Sequence, residues 1–435
     1  MNIVRHCPGA SDRWLLAGAA FLVQLALGAV YAWSVFVKPL RDQMGWSRTE
    51  ATLPFIVTIG VLFLGTFVGG RLQDRVGPRP VALTGGAIYA AGVMLASLVK
   101  TPDQLWLLVL TYGVIAGIGL GAGYIVPIAM LVKWFPDRRG LITGIAVGGF
   151  GAGALISAPV AGWLMDRSDV AWVFLPLGAA YLVATIVGGS FFRNPPESYA
   201  VAGFEPATPG MVSATDSYTL AEALCTPQWY RMTAILALNV AAGIALISHA
   251  SPAAQDLANV SKATADGLVG ILAILNGVGR VLWGWTSDSI GRMRAFLIMF
   301  AIQGVCFALL PLASSIGVFF LFGALIYLCY GGGFGTMPAA AADFFGPRNA
   351  GAIYGTIIVG WSIGGVLGPV ATAAIADATD GYTVAFLVIA GMVLASTALP
   401  LTTETVRKRT ERDEGRRGAV SGVPGLVVST QRGAS

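Results

Sequence analysis

The stretch Gly70-Arg71-Leu72-Gln73-Asp74-Arg75-Val76-Gly77-Pro78-Arg79 stands between two long apolar runs. Its Gly, Asp and Gly recur as Gly284, Asp288 and Gly291 within Gly284-Trp285-Thr286-Ser287-Asp288-Ser289-Ile290-Gly291-Arg292-Met293-Arg294, about 214 positions on. A charged, glycine-bounded turn that appears twice, each time after an apolar run, marks two copies of one unit. Gly144, Gly149 and Gly153 likewise recur as Gly355, Gly360 and Gly364, about 211 positions on. Among 57 glycines such matches arise easily by chance, so the Asp-containing pair carries the argument. Glycines three to five apart on one helix let a second backbone approach, which suits a surface that slides or rocks.

Outward from these turns, apolar runs of about 20 residues follow one another, each long enough to cross the roughly 30 Å hydrocarbon layer as a helix. Of 435 residues, 56% are hydrophobic and 11% charged, against about 25% charged in a soluble domain. The pattern predicts helices over residues 14–36, 51–69, 80–99, 105–131, 140–163 and 170–191, then 230–250, 266–287, 294–312, 316–341, 349–374 and 382–401. The expected fold is an all-α polytopic membrane protein, twelve transmembrane helices in two six-helix bundles. The bundles are expected over residues 1–191 and 230–401, with a polar linker at 192–229 and a charged, disordered tail at 402–435. The first run exceeds a signal-peptide core of roughly 7 to 15 residues and is expected to stay as a helix.

The formal charge is +5, from 27 Lys and Arg against 22 Asp and Glu, with the basic residues in short loops. That distribution records topology rather than a nucleic-acid partner. Loops on the side of the termini hold about 20 basic residues and the opposite loops about 6, so both termini are expected in the cytoplasm of a cell with the chain in its inner membrane. Without the tail the count is still about 13 against 6. Cys7, Cys225, Cys306 and Cys329 are scattered, form no CxxC pair and read as packing or loop thiols. No Ser-His-Asp set, carboxylate pair or metal cluster lies at membrane depth, so neither enzyme chemistry, a metal nor a cofactor is expected.

The run from Gly70 to Arg79 resembles the loop signature of the major facilitator superfamily, and Gly284 to Arg294 resembles its weaker second copy. Asp74 and Asp288, placed at helix ends beside Arg75, Arg79 and Arg292, are expected to hold a cytoplasmic latch that opens as the halves rock. Tyr31-Ala32-Trp33, Tyr124-Ile125-Val126-Pro127, Lys133-Trp134-Phe135-Pro136-Asp137-Arg138-Arg139-Gly140, Asp343-Phe344-Phe345-Gly346 and Tyr354-Gly355 resemble the oxalate/formate antiporter family and the related monocarboxylate transporters. The similarity runs from Trp14 to about Pro400.

One basic residue, Arg280, fits no loop or helix end. It lies roughly 20 Å from Asp266 and roughly 12 Å from Asp288 along its helix, and a deep arginine costs at least about 2.5–3.5 kcal/mol without a partner or a wet cavity. No acid stands at comparable depth, so the counter-ion is expected to be an anionic substrate, whose carboxylate the guanidinium fork suits. The plainer alternative is an arginine that caps carbonyls of a neighbouring helix. Asn276, one turn earlier, faces the same way. The resemblance implies an aspartate there in eukaryotic monocarboxylate transporters, linked to proton coupling, which an amide does not supply. It implies, too, a helix-11 lysine in oxalate carriers; residues 350–374 hold no Lys or Arg and carry Trp361 near their centre.

Tyr31, Tyr124, Tyr327, Tyr330 and Trp361 are candidates to complete the cavity, Tyr124 and Tyr330 foremost. His249 is a candidate proton or gate element. One buried cation matches one carboxylate, so the expected function is secondary transport of a small organic monocarboxylate (formate, lactate, pyruvate or similar) by alternating access, as antiporter or proton symporter. The alternatives are oxalate/formate exchange and a membrane-embedded carboxylate sensor. The expected partners are the organic anion and the bilayer, with the chain a monomer.

Overall fold

Positive-φ glycines punctuate the chain where the repeated turns predict it. Gly77 (φ 90°) and Gly291 (φ 92°) end one helix and release the next without a loop, a conformation that a Cβ would penalise. The computed structural model describes residues 10–196, 199, 201, 212, 216–258 and 260–404, and among them there is no strand. The spans are α1 (Arg13–Met44), α2 (Thr49–Val76), α3 (Pro78–Leu98), α4 (Pro102–Trp134), α5 (Arg139–Met165) and α6 (Val170–Ser190). After the joining segment come α7 (Pro227–Ala258), α8 (Lys262–Ile290), α9 (Arg292–Leu312), α10 (Ile316–Phe345), α11 (Ala350–Thr379) and α12 (Tyr382–Thr402). Among the described residues eleven helices are long and apolar enough to cross a membrane; α8, 29 residues long, carries Arg280.

Several spans outrun their apolar cores because polar ends still make helical hydrogen bonds. α1 continues to Met44 through a tighter turn at Gly28–Trp33 and stops at Gly45 (φ 69°). α2 opens on a reciprocal cap: the Glu50 N–H donates to Ser47 Oγ at 3.2 Å and the Ser47 N–H to Glu50 Oε2 at 2.8 Å. α4 widens into a π segment at Val109–Ala116, and α11 is interrupted at Ile358.

Within the first bundle α1 packs on α5 and α6, and α4 on α2 and α3; within the second α7 packs on α11 and α10, and α8 on α10. The bundles meet where α5 crosses α8 and α2 crosses α11. The repeated glycines divide between these tasks. A Cβ at Gly144 would lie 2.5 Å from the Arg280 carbonyl oxygen, and one at Gly355 2.5 Å from that of Thr66, so the first glycine of each set allows contact between bundles. Gly149 and Gly153 instead face α1, and Gly360 and Gly364 face α7, inside their own bundles. The expectation that the sets form one sliding surface is corrected: the first glycine of each lies between the bundles, and the other two tighten a bundle. Large apolar side chains such as Trp106 and Leu367 lie exposed on the outside, as contact with lipid tails allows.

The segment joining the bundles is more than a spacer where it is described. Leu220–Leu224 forms a helical turn. The Tyr218 N–H donates to Phe345 O at 2.7 Å, and the Val212 N–H to Asp343 O at 3.0 Å. The tail beyond residue 404 and parts of the joining segment lie outside the described residues.

Candidate functional site

The helix-packing glycines of α5 also make room for a long side chain. Cβ atoms at Gly148 and Gly151 would lie 3.2 Å from Val281 Cγ2 and 3.4 Å from Arg280 Nε, so α5 presents a smooth groove and Arg280 of α8 lies along it. The side chain is 1% exposed. Its Nη1 donates to the Val147 carbonyl of α5 at 3.0 Å, and its guanidinium carbon stands 5.2 Å from the Phe334 ring centre. Nε and Nη2 make no hydrogen bond of normal length, the Tyr31 hydroxyl is set against the guanidinium, and among the described residues no acid forms an ion pair with it. The carbonyl-capping alternative is therefore half met: one N–H is used this way and an entire edge of the fork is not.

Around that edge the two bundles build an aromatic wall. The Tyr31, Tyr124, Tyr330 and Tyr354 hydroxyls all lie within electrostatic reach of Arg280. Phe150 meets Tyr31 at 5.3 Å, Tyr124 at 5.0 Å and Trp361 at 6.2 Å between ring centres. Phe334 meets Trp361 at 4.8 Å and Tyr330 at 5.5 Å. Tyr124, Tyr330 and Trp361 are buried and Tyr31 is half-buried. The Tyr124 and Tyr354 hydroxyls are set against each other, and neither has a further hydrogen-bond partner. The Nε/Nη2 edge, the Tyr31 hydroxyl beside it and the paired Tyr124 and Tyr354 hydroxyls give an apolar wall the polar groups to hold a small anion with few atoms of its own.

Of the expected residues, Tyr31, Tyr124, Tyr330 and Trp361 join this cluster. Asn276 sits at its edge, half-buried with Oδ1 unpartnered, against the Gly331 backbone of α10. Tyr327 is buried beside Tyr330 rather than beside Arg280. His249 is not brought to the site: Nδ1 lies 3.0 Å from the Ala245 carbonyl of its own helix, and the ring lies 5.6 Å from Tyr382 of α12. Phe150, Phe334 and Tyr354 complete the wall without having been expected there. The glycines at 144, 148 and 151, spaced for one helix face, are the sequence signal for the groove.

On the face that carries both termini, the bundles are pinned shut by a repeated device. Asp288 accepts from the Gly140 and Leu141 N–H groups, 2.8 Å each, at the start of α5 in the opposite bundle. Asp74 accepts from the Ala352 N–H at 2.7 Å at the start of α11, and from Lys133 Nζ at 3.2 Å. Each repeated aspartate thus caps a helix N-terminus across the interface, where unpaired N–H groups and the dipole favour an anion. Asp343 binds Arg139 Nη1 at 2.7 Å and Arg292 Nε at 2.8 Å, and Arg292 Nη2 reaches Asp288 at 2.7 Å.

Arg75 and Arg79 take no part, contrary to expectation: both are exposed, and among the described residues neither forms an ion pair. Lys133, Arg139 and Asp343 supply the charges instead. Further along, Thr66 Oγ1 donates to Gly355 O at 2.9 Å, Thr143 Oγ1 to Gly335 O at 2.7 Å and Ser362 Oγ to Ile59 O at 3.4 Å. The contacts between bundles therefore extend from the terminal face to the level of Arg280.

Comparison with known proteins agrees with this architecture. The sequence matches the family described as the Major Facilitator Superfamily over residues 16–315 and 233–431. It is 31% identical over 356 residues to the MFS-type transporter YhjX of Escherichia coli K12, covering 81% of this chain and 86% of that one. It is 28% identical to the oxalate:formate antiporter of Oxalobacter formigenes, covering 91% of this chain and 94% of that one. The human organic anion transporter MFSD10 superposes with a TM-score of 0.70 at 14% identity, covering 89% of this chain and 99% of that one, a likeness of fold. With its twelve helices, its twofold repeat and these matches across both halves, the chain belongs to the Major Facilitator Superfamily of membrane transporters.

Proposed function

We propose that the chain carries a small organic monocarboxylate through the membrane by alternating access, with the carboxylate held on Arg280. The observation behind this is the Nε/Nη2 edge. Those two N–H groups point the same way and match the two oxygens of one carboxylate, and they are the two that the protein leaves unpaired at 1% exposure. A buried cation with no acid partner is costly, and an incoming anion relieves that cost.

The charge balance favours one carboxylate over two. Residues 350–379 contain no Lys or Arg, and Trp361 stands in the wall opposite Arg280. A second carboxylate would have to give up its water with no cation to receive it, at a cost of several kcal/mol. Oxalate:formate exchange is the second reading, supported by the Oxalobacter relative. With the terminal face taken as cytoplasmic, which the positive-inside distribution supports, the aspartate caps are the closed inner gate. The chain works as a carrier rather than an enzyme or a sensor, and as a monomer in the inner membrane.

Uptake of labelled formate, lactate and pyruvate into proteoliposomes tests this reading. Arg280→Ala is expected to abolish uptake, and oxalate to compete weakly against the monocarboxylates. Undiminished uptake by the variant would remove Arg280 from the mechanism, and stronger competition by oxalate would favour the second reading.

A further inference from the structure

We infer that Tyr354 is a positioning residue for the carboxylate site: its hydroxyl turns that of Tyr124 toward the anion on Arg280, and because Tyr354 rides on the inner gate, the site is complete only while that gate is shut. The inference rests on the carboxylate function proposed for Arg280.

The start of α11 holds Tyr354 in place. Residues Ala350–Ile357 form a separate pair of turns, and the helix resumes at Val359 after a tight step in which the Trp361 N–H donates to Ile358 O at 2.8 Å, three residues back instead of four. These turns are clamped to α2 of the first bundle: Asp74 accepts from the Ala352 N–H at 2.7 Å, and Thr66 Oγ1 donates to Gly355 O at 2.9 Å. Tyr354 lies between the two clamps and is 1% exposed, so the gate fixes where its hydroxyl stands.

The twofold repeat sets this position apart. Gly144 and Gly355 correspond, so Thr143 and Tyr354, one residue earlier in each, correspond as well. Thr143 Oγ1 crosses the interface to a backbone carbonyl, Gly335 O, at 2.7 Å. Tyr354 is a longer arm that crosses to a side chain of the wall, its hydroxyl set against that of Tyr124. α5 runs unbroken from Arg139 to Met165, whereas α11 has its break at Ile358. Each hydroxyl has one proton, and among the described residues neither has a partner outside the pair. If Tyr124 donates, the Tyr354 proton is left buried with no acceptor, which costs as much as a missing hydrogen bond. If Tyr354 donates, the unused proton is that of Tyr124, within electrostatic reach of Arg280, where a carboxylate brings an acceptor. The bound anion selects the second arrangement. A chain from Tyr354 through Tyr124 and the carboxylate to Arg280 then joins α11, α4 and α8, each bond polarising the next. Opening the inner gate carries the start of α11 off α2 and withdraws Tyr354, which lowers the affinity on the side that has just opened.

The test uses full-length protein in detergent and the tightest-binding of formate, lactate and pyruvate, with the melting temperature followed as the sodium salt is added. Tyr354→Phe is expected to raise the half-saturating concentration roughly three- to tenfold, and Tyr124→Phe roughly tenfold or more. The double variant is expected to bind no more weakly than Tyr124→Phe, since Tyr354 acts only through Tyr124; independent structural damage would instead add. Tyr89→Phe removes another buried hydroxyl without a partner, in the first bundle beside Tyr181, and is expected to bind as the parent does. Parent-like binding in Tyr354→Phe, or losses that add in the double variant, would overturn the inference while leaving Arg280 in place. A parent protein that binds none of these acids, or binds one equally well after Arg280→Ala, would remove the carboxylate function and this inference with it. Should Tyr124→Phe not fold, Tyr354→Phe against Tyr89→Phe decides alone.

Discussion

Arg280 gives one N–H to Val147 and keeps the Nε/Nη2 edge free, so charge and geometry can be separated at this residue. Lysine preserves the charge but has no planar fork and cannot make two parallel bonds to one carboxylate. Losing one charge-assisted hydrogen bond of about 1.5–3 kcal/mol weakens binding by roughly 10- to 150-fold. Arg280→Lys is therefore expected to raise the apparent KM for a monocarboxylate by that factor while leaving the protein folded, and uptake kinetics in proteoliposomes measure it; an unchanged KM would mean that charge alone suffices. His249→Gln is expected to leave uptake unaltered, because the ring caps its own helix and lies against Tyr382 rather than the cluster. Asp343 sits between Arg139 and Arg292, with its side chain 11% exposed, and Asp343→Asn leaves two buried cations short of a partner. Breaking such a set costs about 3–5 kcal/mol, which a fall in melting temperature in detergent reads directly.

At the scale of helices, most of the architecture was legible because lipid imposes a simple rule: a run must be apolar and long, and it must be a helix. The twelve predicted runs correspond to α1–α12, and the errors lie at the ends. α1 runs to Met44 rather than 36 because a polar turn can continue a helix in water, and α4 to Trp134 rather than 131. The Arg280 cluster was partly legible for a different reason. A deep charge stands out in any apolar run, as do tyrosines, but Phe150 and Phe334 look like any other core residue until two bundles are folded together. The gate was misassigned at Arg75 and Arg79 because a run of charges does not say which way each helix face turns, and Asp343 reads as a helix end until Arg139 and Arg292 converge on it. The glycine sets carry their own prediction. Gly355→Val places a branched side chain where a Cβ already lies 2.5 Å from the Thr66 carbonyl oxygen, whereas Gly360 faces α7 within its bundle. The first substitution is expected to prise the bundles apart on the terminal face and so make a cysteine introduced at Gln73, buried in this state, label several-fold faster. Labelling unchanged from the parent cysteine protein would count against rocking at this contact.

For the molecule as a whole, the decisive quantity is the energy of crossing empty. On the proposed function the guanidinium is neutralised while the bundles close around a carboxylate; without one it must pass through the occluded state with a carbonyl, aromatic faces and the Tyr31 hydroxyl for company. No described acid stands beside it to exchange a proton in compensation, and Asn276, a turn away, cannot titrate. An unpaired buried charge costs several kcal/mol, and each 1.4 kcal/mol on a barrier slows a step about tenfold. The loaded protein should therefore reorient at least about tenfold faster than the empty one, and transport should run as exchange. Proteoliposomes preloaded with unlabelled carboxylate are expected to take up label at least about tenfold faster than empty ones, with little response to an imposed pH gradient. Equal rates in loaded and empty vesicles, or uptake into empty vesicles that an acid exterior accelerates strongly, would mean that a proton neutralises the site on the return journey. The search for its carrier would then turn to residues outside the Arg280 cluster, with His249 the first to replace.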